Sequence, residues 1–164
     1  MKIKIKPKKI NKKNFNKFGQ IIDTSKKKYF RINNGYAKRY DNLGKINTSI
    51  KKGKTIISIF SAKTRKFPMK VDMMEKHPLG SQAFIPMKET SFLVFVAPRG
   101  SKPNLKKIEL FRIPKQTGIN LNPGIWHFPL ISTKNMNFLV VDRKGKGKNL
   151  TIHKFKKERI YLSR

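Results

Sequence analysis

Glu75, His77 and Gln82 stand close together in the stretch "MEKHPLGSQAFIPMKE", and His127 follows some fifty residues later in "NPGIWHFPL". In an extended strand, residues two apart point to the same face, so Glu75 and His77 share one. Pro78 supplies no N–H and holds the residue before it extended. A Pro-Leu-Gly turn then presents Gln82 at the start of another strand, and a Pro-Gly turn presents His127 in the same way. A carboxylate, an amide and two imidazoles form an oxygen and nitrogen donor set suited to a divalent metal. The same groups could instead move protons near neutral pH. Histidines in strands are also often buried side chains satisfied by their neighbours, and the residues alone leave these readings open. The third histidine, His153 in "LTIHKF", alternates with lysine and reads as a surface or edge residue.

The elements that must position these groups read as strands. "MKIKIK" alternates lysine and isoleucine, the period of a half-buried strand. "NKKNFNKFG" spaces Phe15 and Phe18 three apart and ends at Gly19, which predicts one short helix, packed outside a barrel. The rest is a succession of short segments rich in Ile, Val and Phe, among them "TIISIFSA", "FPMKVDMM", "SQAFIPM", "SFLVFVA", "IELFRI", "NFLVVDR" and "LTIHKF". Gly, Pro, Asn and Lys turns separate them about every ten residues, a spacing that predicts an all-β barrel or sandwich. The unbroken apolar run "SFLVFVA" fits a buried strand. Neither a repeat nor a second core is evident, so residues 1–164 read as one domain.

Composition narrows the function classes. The chain has no cysteine, which excludes a thiol nucleophile, a thiolate metal site and a disulfide framework. No apolar run approaches the length of a membrane helix, and the basic N-terminus lacks the apolar stretch of a secretory signal. A soluble, cytoplasmic protein is expected. Forty basic residues face eight acidic ones, for a net charge of +32. That balance suits a nucleic-acid or anion binder. However, only eight of the forty are arginine, and the lysines run from Lys2 to Lys157 without forming a stripe. This is the bias of a lysine-rich proteome, with only weak, nonspecific nucleic-acid binding expected.

The spacing Glu-x-His-x4-Gln with a distant Pro-Gly-x2-His resembles the metal signature of cupin barrels. Glu75 stands at the first histidine position, His77 at the second, Gln82 at the glutamate and His127 at the last. Within the cupins, the segments "FGQIIDT", "FRINNGYAKRYDNL", "ISIFSA", "EKHPLGSQAFIPMK", "NPGIWHFPL" and "FLVVDR" resemble the ureidoglycolate lyase family in order and spacing. The resemblance implies a double-stranded β-helix barrel with one short N-terminal helix, a homodimer, and a role in purine and allantoin breakdown. It implies elimination of urea from ureidoglycolate to leave glyoxylate, without an organic cofactor. It also implies a divalent metal, nickel as first candidate, on Glu75, His77, Gln82 and His127, the residues that would also carry catalysis. Arg39, Lys88 and Arg143 match family cations for the substrate carboxylate. Asn33 and Asn34 could bind the ureido group by amide pairing, although before Gly35 they equally suit a turn. Asp142 would orient a base or pair with Arg143. A cupin of other chemistry, or a barrel that binds nucleic acid or a small anion without catalysis, is the alternative.

Overall fold

The run Phe92–Ala97 contains no polar side chain, and the structure shows why: every one of its residues is buried. In the computed structural model, which describes residues 2–164, this strand is covered on both faces. Phe92, Val94 and Val96 enter one core cluster, while Leu93, Phe95 and Ala97 enter another. A strand buried on both sides cannot alternate apolar with polar residues.

The N-terminal part comprises β1 (Lys2–Ile5), β2 (Lys8–Lys9), helix α1 (Lys12–Phe15), β3 (Gly19–Ile22), β4 (Phe30–Ile32) and β5 (Ala37–Arg39). The middle comprises β6 (Lys54–Ala62), β7 (Met69–Val71), β8 (Met73–Lys76), β9 (Gln82–Pro86), β10 (Phe92–Ala97) and β11 (Glu109–Ile113). The last part comprises β12 (Gly118–Leu121), β13 (Trp126–His127), β14 (Ile131–Ser132), β15 (Met136–Lys144), β16 (Thr151–Lys154) and β17 (Arg159–Leu162). The fold is all-β, as the segment spacing predicts.

A central sheet runs β16-β8-β13-β10-β11-β2, with β14 also on β10. A front sheet runs β3-β12-β9-β15-β6, and a back sheet runs β1-β17-β7. The central and front sheets form the cupin-like barrel, enclosing a core that includes Phe84, Val96, Leu121, Phe138 and Val140. The back sheet covers the other face of the central sheet over Met74, Phe95, Trp126 and Leu162. This third layer is not apparent in the sequence, where β17 is a short segment, "RIYL", among charges. Lysines alternate along β1, yet Ile3 and Ile5 pack against this second core.

Helix α1 is shorter than the segment predicts, ending at Phe15 rather than running on to Gly19. Asn11 and Asn14 form a reciprocal capping box, each side chain accepting from the other's backbone N–H at 2.9 Å. The helix does not simply pack on the outside. Phe15 and Phe18 are fully buried, with ring centroids 5.4 and 5.9 Å from Phe111, and they complete the core between central and front sheets. No helix among the described residues is long and apolar enough to cross a membrane.

Candidate active site

Strand register aims the candidate residues into one end of the barrel. His127 lies directly opposite Glu75 across the β13–β8 pair and opposite Val96 across β10–β13. Residues directly opposite in an antiparallel pair share a face. Val96 belongs to the barrel core, so Glu75 and His127 also point inward. On the front sheet, Gln82 lies opposite the core residue Leu121. Val140 pairs with Phe84 and Val141 with Ala83, which puts Asp142 beside Gln82 on the inward face.

The two turns seen in the sequence are joined. Gly124 N–H donates to the carbonyl of His77 at 2.8 Å, tying the Pro-Gly turn to the segment that carries the first histidine. Gly124 has φ +77°, and Pro123 precedes it. This is the pairing that a type II turn needs.

At the centre, Glu75 Oε1 lies 3.8 Å from His77 Nε2 and 3.7 Å from His127 Nε2. The two imidazole centroids are 5.3 Å apart. His77 Nδ1 is 2.8 Å from the carbonyl of Asn149, and His127 Nδ1 is 3.1 Å from the carbonyl of Ile125. A carbonyl can only accept, so each neutral ring carries its proton on Nδ1 and turns the Nε2 lone pair toward Glu75. Both Nε2 atoms are buried and have no hydrogen-bond partner, and the same holds for Gln82 Oε1.

These unpartnered donor atoms fit a divalent cation. One ligand atom each from Glu75, His77 and His127 lies within 4.8 Å of the others. Two atoms each about 2.1 Å from a common ion lie at most about 4.2 Å apart, and Glu75 Oε1 meets that limit with both Nε2 atoms, at 3.8 and 3.7 Å. Imidazoles held by Nδ1 with free Nε2 are also what a metal-ligating pair requires.

The electrostatics differ within the cluster. His127 is 4% exposed at the side chain and forms the floor, whereas His77 and Glu75 are about one-fifth exposed and line the approach. Burial, reinforced by the nearby His77, pushes the His127 pKa down to about 3. His127 therefore stays neutral at physiological pH. Burial raises the Glu75 carboxyl above its ordinary value, with His77 opposing. A carboxylate so raised is a stronger base.

Gln82 Nε2 donates to Asp142 Oδ2 at 3.3 Å, so Asp142 braces Gln82 rather than pairing with Arg143. Strand alternation explains the separation, since residue 142 faces in and residue 143 faces out. Arg143 is buried beneath two loops. Its Nε and Nη2 donate to the Ile50 carbonyl at 3.1 and 2.8 Å, and Nη2 also donates to the Lys146 carbonyl at 2.8 Å. Its stem packs at Gly80, where an added Cβ would lie 2.7 Å from Arg143 Cβ. The guanidinium expected to bind substrate is thus committed to holding loops.

The remaining expected cations and amides are not brought to the cluster. Lys88 lies beyond the far end of β9, six residues from Gln82, or about 20 Å of extended chain. It reaches the Asn135 carbonyl instead. Arg39 pairs with Asp41 at 2.7 Å on the exposed β4–β5 hairpin. Asn33 and Asn34, both with φ 53°, make the tip of that hairpin and are exposed, in keeping with the turn reading. His153 lies on the edge strand β16, as expected, but it has partners: the rings of Trp126 at 6.2 Å and Phe155 at 5.3 Å. Two contributors at the cluster escaped the sequence reading, Asn149 and the carbonyl of Ile125. The "GKGKN" loop marks a turn but says nothing of what its last residue touches.

A family model described as ureidoglycolate lyase matches residues 2–161. A protein named ureidoglycolate lyase from Pseudomonas aeruginosa (strain LESB58) is 42% identical over 161 residues, covering 98% of this chain and 94% of the relative. Proteins of the same name from Pseudomonas putida (strain F1) and Pseudomonas entomophila (strain L48) are each 41% identical over 154 residues, covering 93% of this chain and 92% of each relative.

Proposed function

The chain belongs to the ureidoglycolate lyase family, and from that membership and the buried cluster we propose that it splits ureidoglycolate into glyoxylate and urea. The observation that carries the reading is the pair of unpartnered Nε2 lone pairs flanking the Glu75 carboxylate inside the barrel mouth. The reaction is an elimination at a carbon bearing a hydroxyl, a carboxylate and a ureido nitrogen. A base takes the hydroxyl proton, the oxygen's electron pair closes the carbonyl, the C–N bond breaks, and the urea nitrogen receives a proton.

Glu75 suits the base, because burial raises its proton affinity and it faces the approach. With no metal on its Nε2 lone pair, His77 beside it suits relaying to the urea nitrogen the proton that Glu75 takes from the hydroxyl. His127 stays neutral and acts as an acceptor at the floor. Gln82, braced by Asp142, offers its free carbonyl oxygen to the same space. A divalent metal, with nickel as first candidate, would be held by Glu75, His77 and His127 with Gln82 alongside, and when bound would supply positive charge for the substrate carboxylate and the developing oxyanion. Arg39, Asn33 and Asn34 would act on substrate only if the exposed hairpin were brought to a site, as assembly of two chains could do.

We place the enzyme as a homodimer in cytoplasmic purine-nitrogen breakdown. The outward face of the front sheet supports the dimer: it presents Ile57, Ile59, Leu139, Val141 and Ile85 and carries no lysine. The test is product analysis on purified protein. Urea and glyoxylate in equal amounts are expected from ureidoglycolate. Ammonia in place of urea would assign the site to amide hydrolysis instead.

A further inference from the structure

We propose that Asn149 is a positioning residue for His77, holding its imidazole in a single tautomer and orientation through two contacts made by one residue. This rests on the reading of His77 as part of the reacting cluster. The Asn149 carbonyl accepts from His77 Nδ1 at 2.8 Å, and the Asn149 side-chain oxygen accepts from the Leu79 backbone N–H at 2.8 Å. Pro78, between the two, has no N–H, so Leu79 offers the first backbone donor after the histidine. The two bonds clasp the segment 77–79 at both ends. They fix the direction of the carbonyl, which in turn fixes which nitrogen of the ring is protonated.

The other histidine needs no such help. His127 Nδ1 bonds the carbonyl of Ile125, two residues back in its own turn. His77 depends on a residue seventy-two positions away in sequence, so its orientation is set by how that distant loop is held.

The loop is braced from both sides. Arg143 Nη2 donates to the Lys146 carbonyl, while the same guanidinium holds Ile50. Gly145 and Gly147 adopt φ +153° and +93°, with Gly53 Cα only 3.0 Å from where a Cβ on Gly145 would sit. Just beyond Asn149, β16 joins the ladder with Thr151 opposite Lys76 and Ile152 opposite Glu75. The strand beside Glu75 therefore also fixes the start of the clasp on His77, and the spacing of the two reacting groups is set by one short segment.

The test is the ring tautomer of His77, read from long-range proton–nitrogen correlations of the imidazole in ¹⁵N-labelled full-length protein. Wild type is expected to show His77 protonated at Nδ1 when neutral. Wild type with the neutral ring protonated at Nε2 would overturn the proposal before any variant is made. Asn149→Ala should give a mixed tautomer signature, with the amide spectrum of the same sample confirming that the chain is folded. Its kcat for urea release should fall about 10-fold or more, the usual effect of removing a group that orients a site residue, with KM changing less. Asn149→Asp keeps an acceptor for Leu79 N–H and should restore the single tautomer. A folded Asn149→Ala with the wild-type ring signature, or with wild-type kcat, would sink the proposal. So would an Asn149→Asp as impaired as alanine. The spectroscopic result stands even if ureidoglycolate is not the substrate, so failure of the clasp and failure of the assigned reaction are distinguishable.

Discussion

His127 and His77 sit 5.3 Å apart, ring to ring, yet differ in burial and in how they are held. Their alanine variants should differ accordingly. His77→Ala should lower turnover by roughly 10²–10⁴, the size of a lost acid–base group, with little change in thermal midpoint. His127→Ala should also lose activity, but with a stability loss of about 1–3 kcal/mol, because a buried side chain is truncated. Urea release measured against thermal midpoint separates the two. Acid should report the same asymmetry. The folded pKa of His127 is depressed to about 3 from an ordinary 6.5. As pH falls below 6.5 the unfolded chain takes up a proton that the folded chain refuses, so stability drops from there toward pH 3. Glu75, raised by burial, works in the opposite sense between its raised pKa and its ordinary 4.5. Denaturant melts of metal-free protein between pH 7 and pH 5 should show a loss of stability that His127→Ala removes. Glu75, His77, Gln82 and His127 were legible because each stands in phase with, or just after, a Pro or Gly turn. Asn149 was not, because its contacts run to residues seventy and seventy-two positions away and its composition marks only a loop.

At the scale of elements, turns and strand periodicity carried the reading. The unbroken run of β10 announced a buried strand, whereas the Asn11–Asn14 capping box at α1, although a local signal, went unread. Long-range layering left no such mark. The back sheet joins the first strand, the last, and β7 in the middle of the chain, and nothing in "KIKI" or "RIYL" states the partner. Arg143 and Lys88 stand away from the cluster because motif spacing does not track strand alternation or distance along a strand. The turn at Pro123-Gly124 is the element most exposed to test. Gly124→Ala has open space around its new Cβ, with nothing nearer than Arg99 Cγ at 3.6 Å, but must hold φ +77°. A cost of about 1–2 kcal/mol is expected from that backbone alone. Because the Gly124 N–H bonds the His77 carbonyl, activity should fall further than the folded fraction does. Activity that merely tracks stability would show the tie between the two turns to be dispensable.

For the whole molecule the governing fact is +32 net charge. Two copies repel one another over most of their surface, so the lysine-free face of the front sheet is where they can approach. Ile57 is 71% exposed and Ile59 52% exposed there, and apolar side chains so placed suit the proposed contact between copies. Ile57→Lys with Ile59→Lys should give monomer by light scattering at physiological salt, with the β-rich circular dichroism unchanged. A dimer that persists in the double variant would move the interface elsewhere. The dispersion of the lysines was plain in the sequence. That they avoid one face was not, because the face is assembled from five strands distant in the chain.

The strand that carries those isoleucines has a further property. β6 is nine residues long, lies at the end of its sheet with a partner on one side only, and reads "TIISIF" between Lys54 and Lys63. Its free row of N–H and C=O groups is a template for another strand, and the sequence is β-branched and uncharged. The flanking lysines act as gatekeepers, and the overall charge keeps templates apart. Both protections are Coulombic and fade over a Debye length of about 3 Å at molar salt. Salting this protein out should therefore drive it toward cross-β aggregates seeded at β6 rather than toward reversible precipitation.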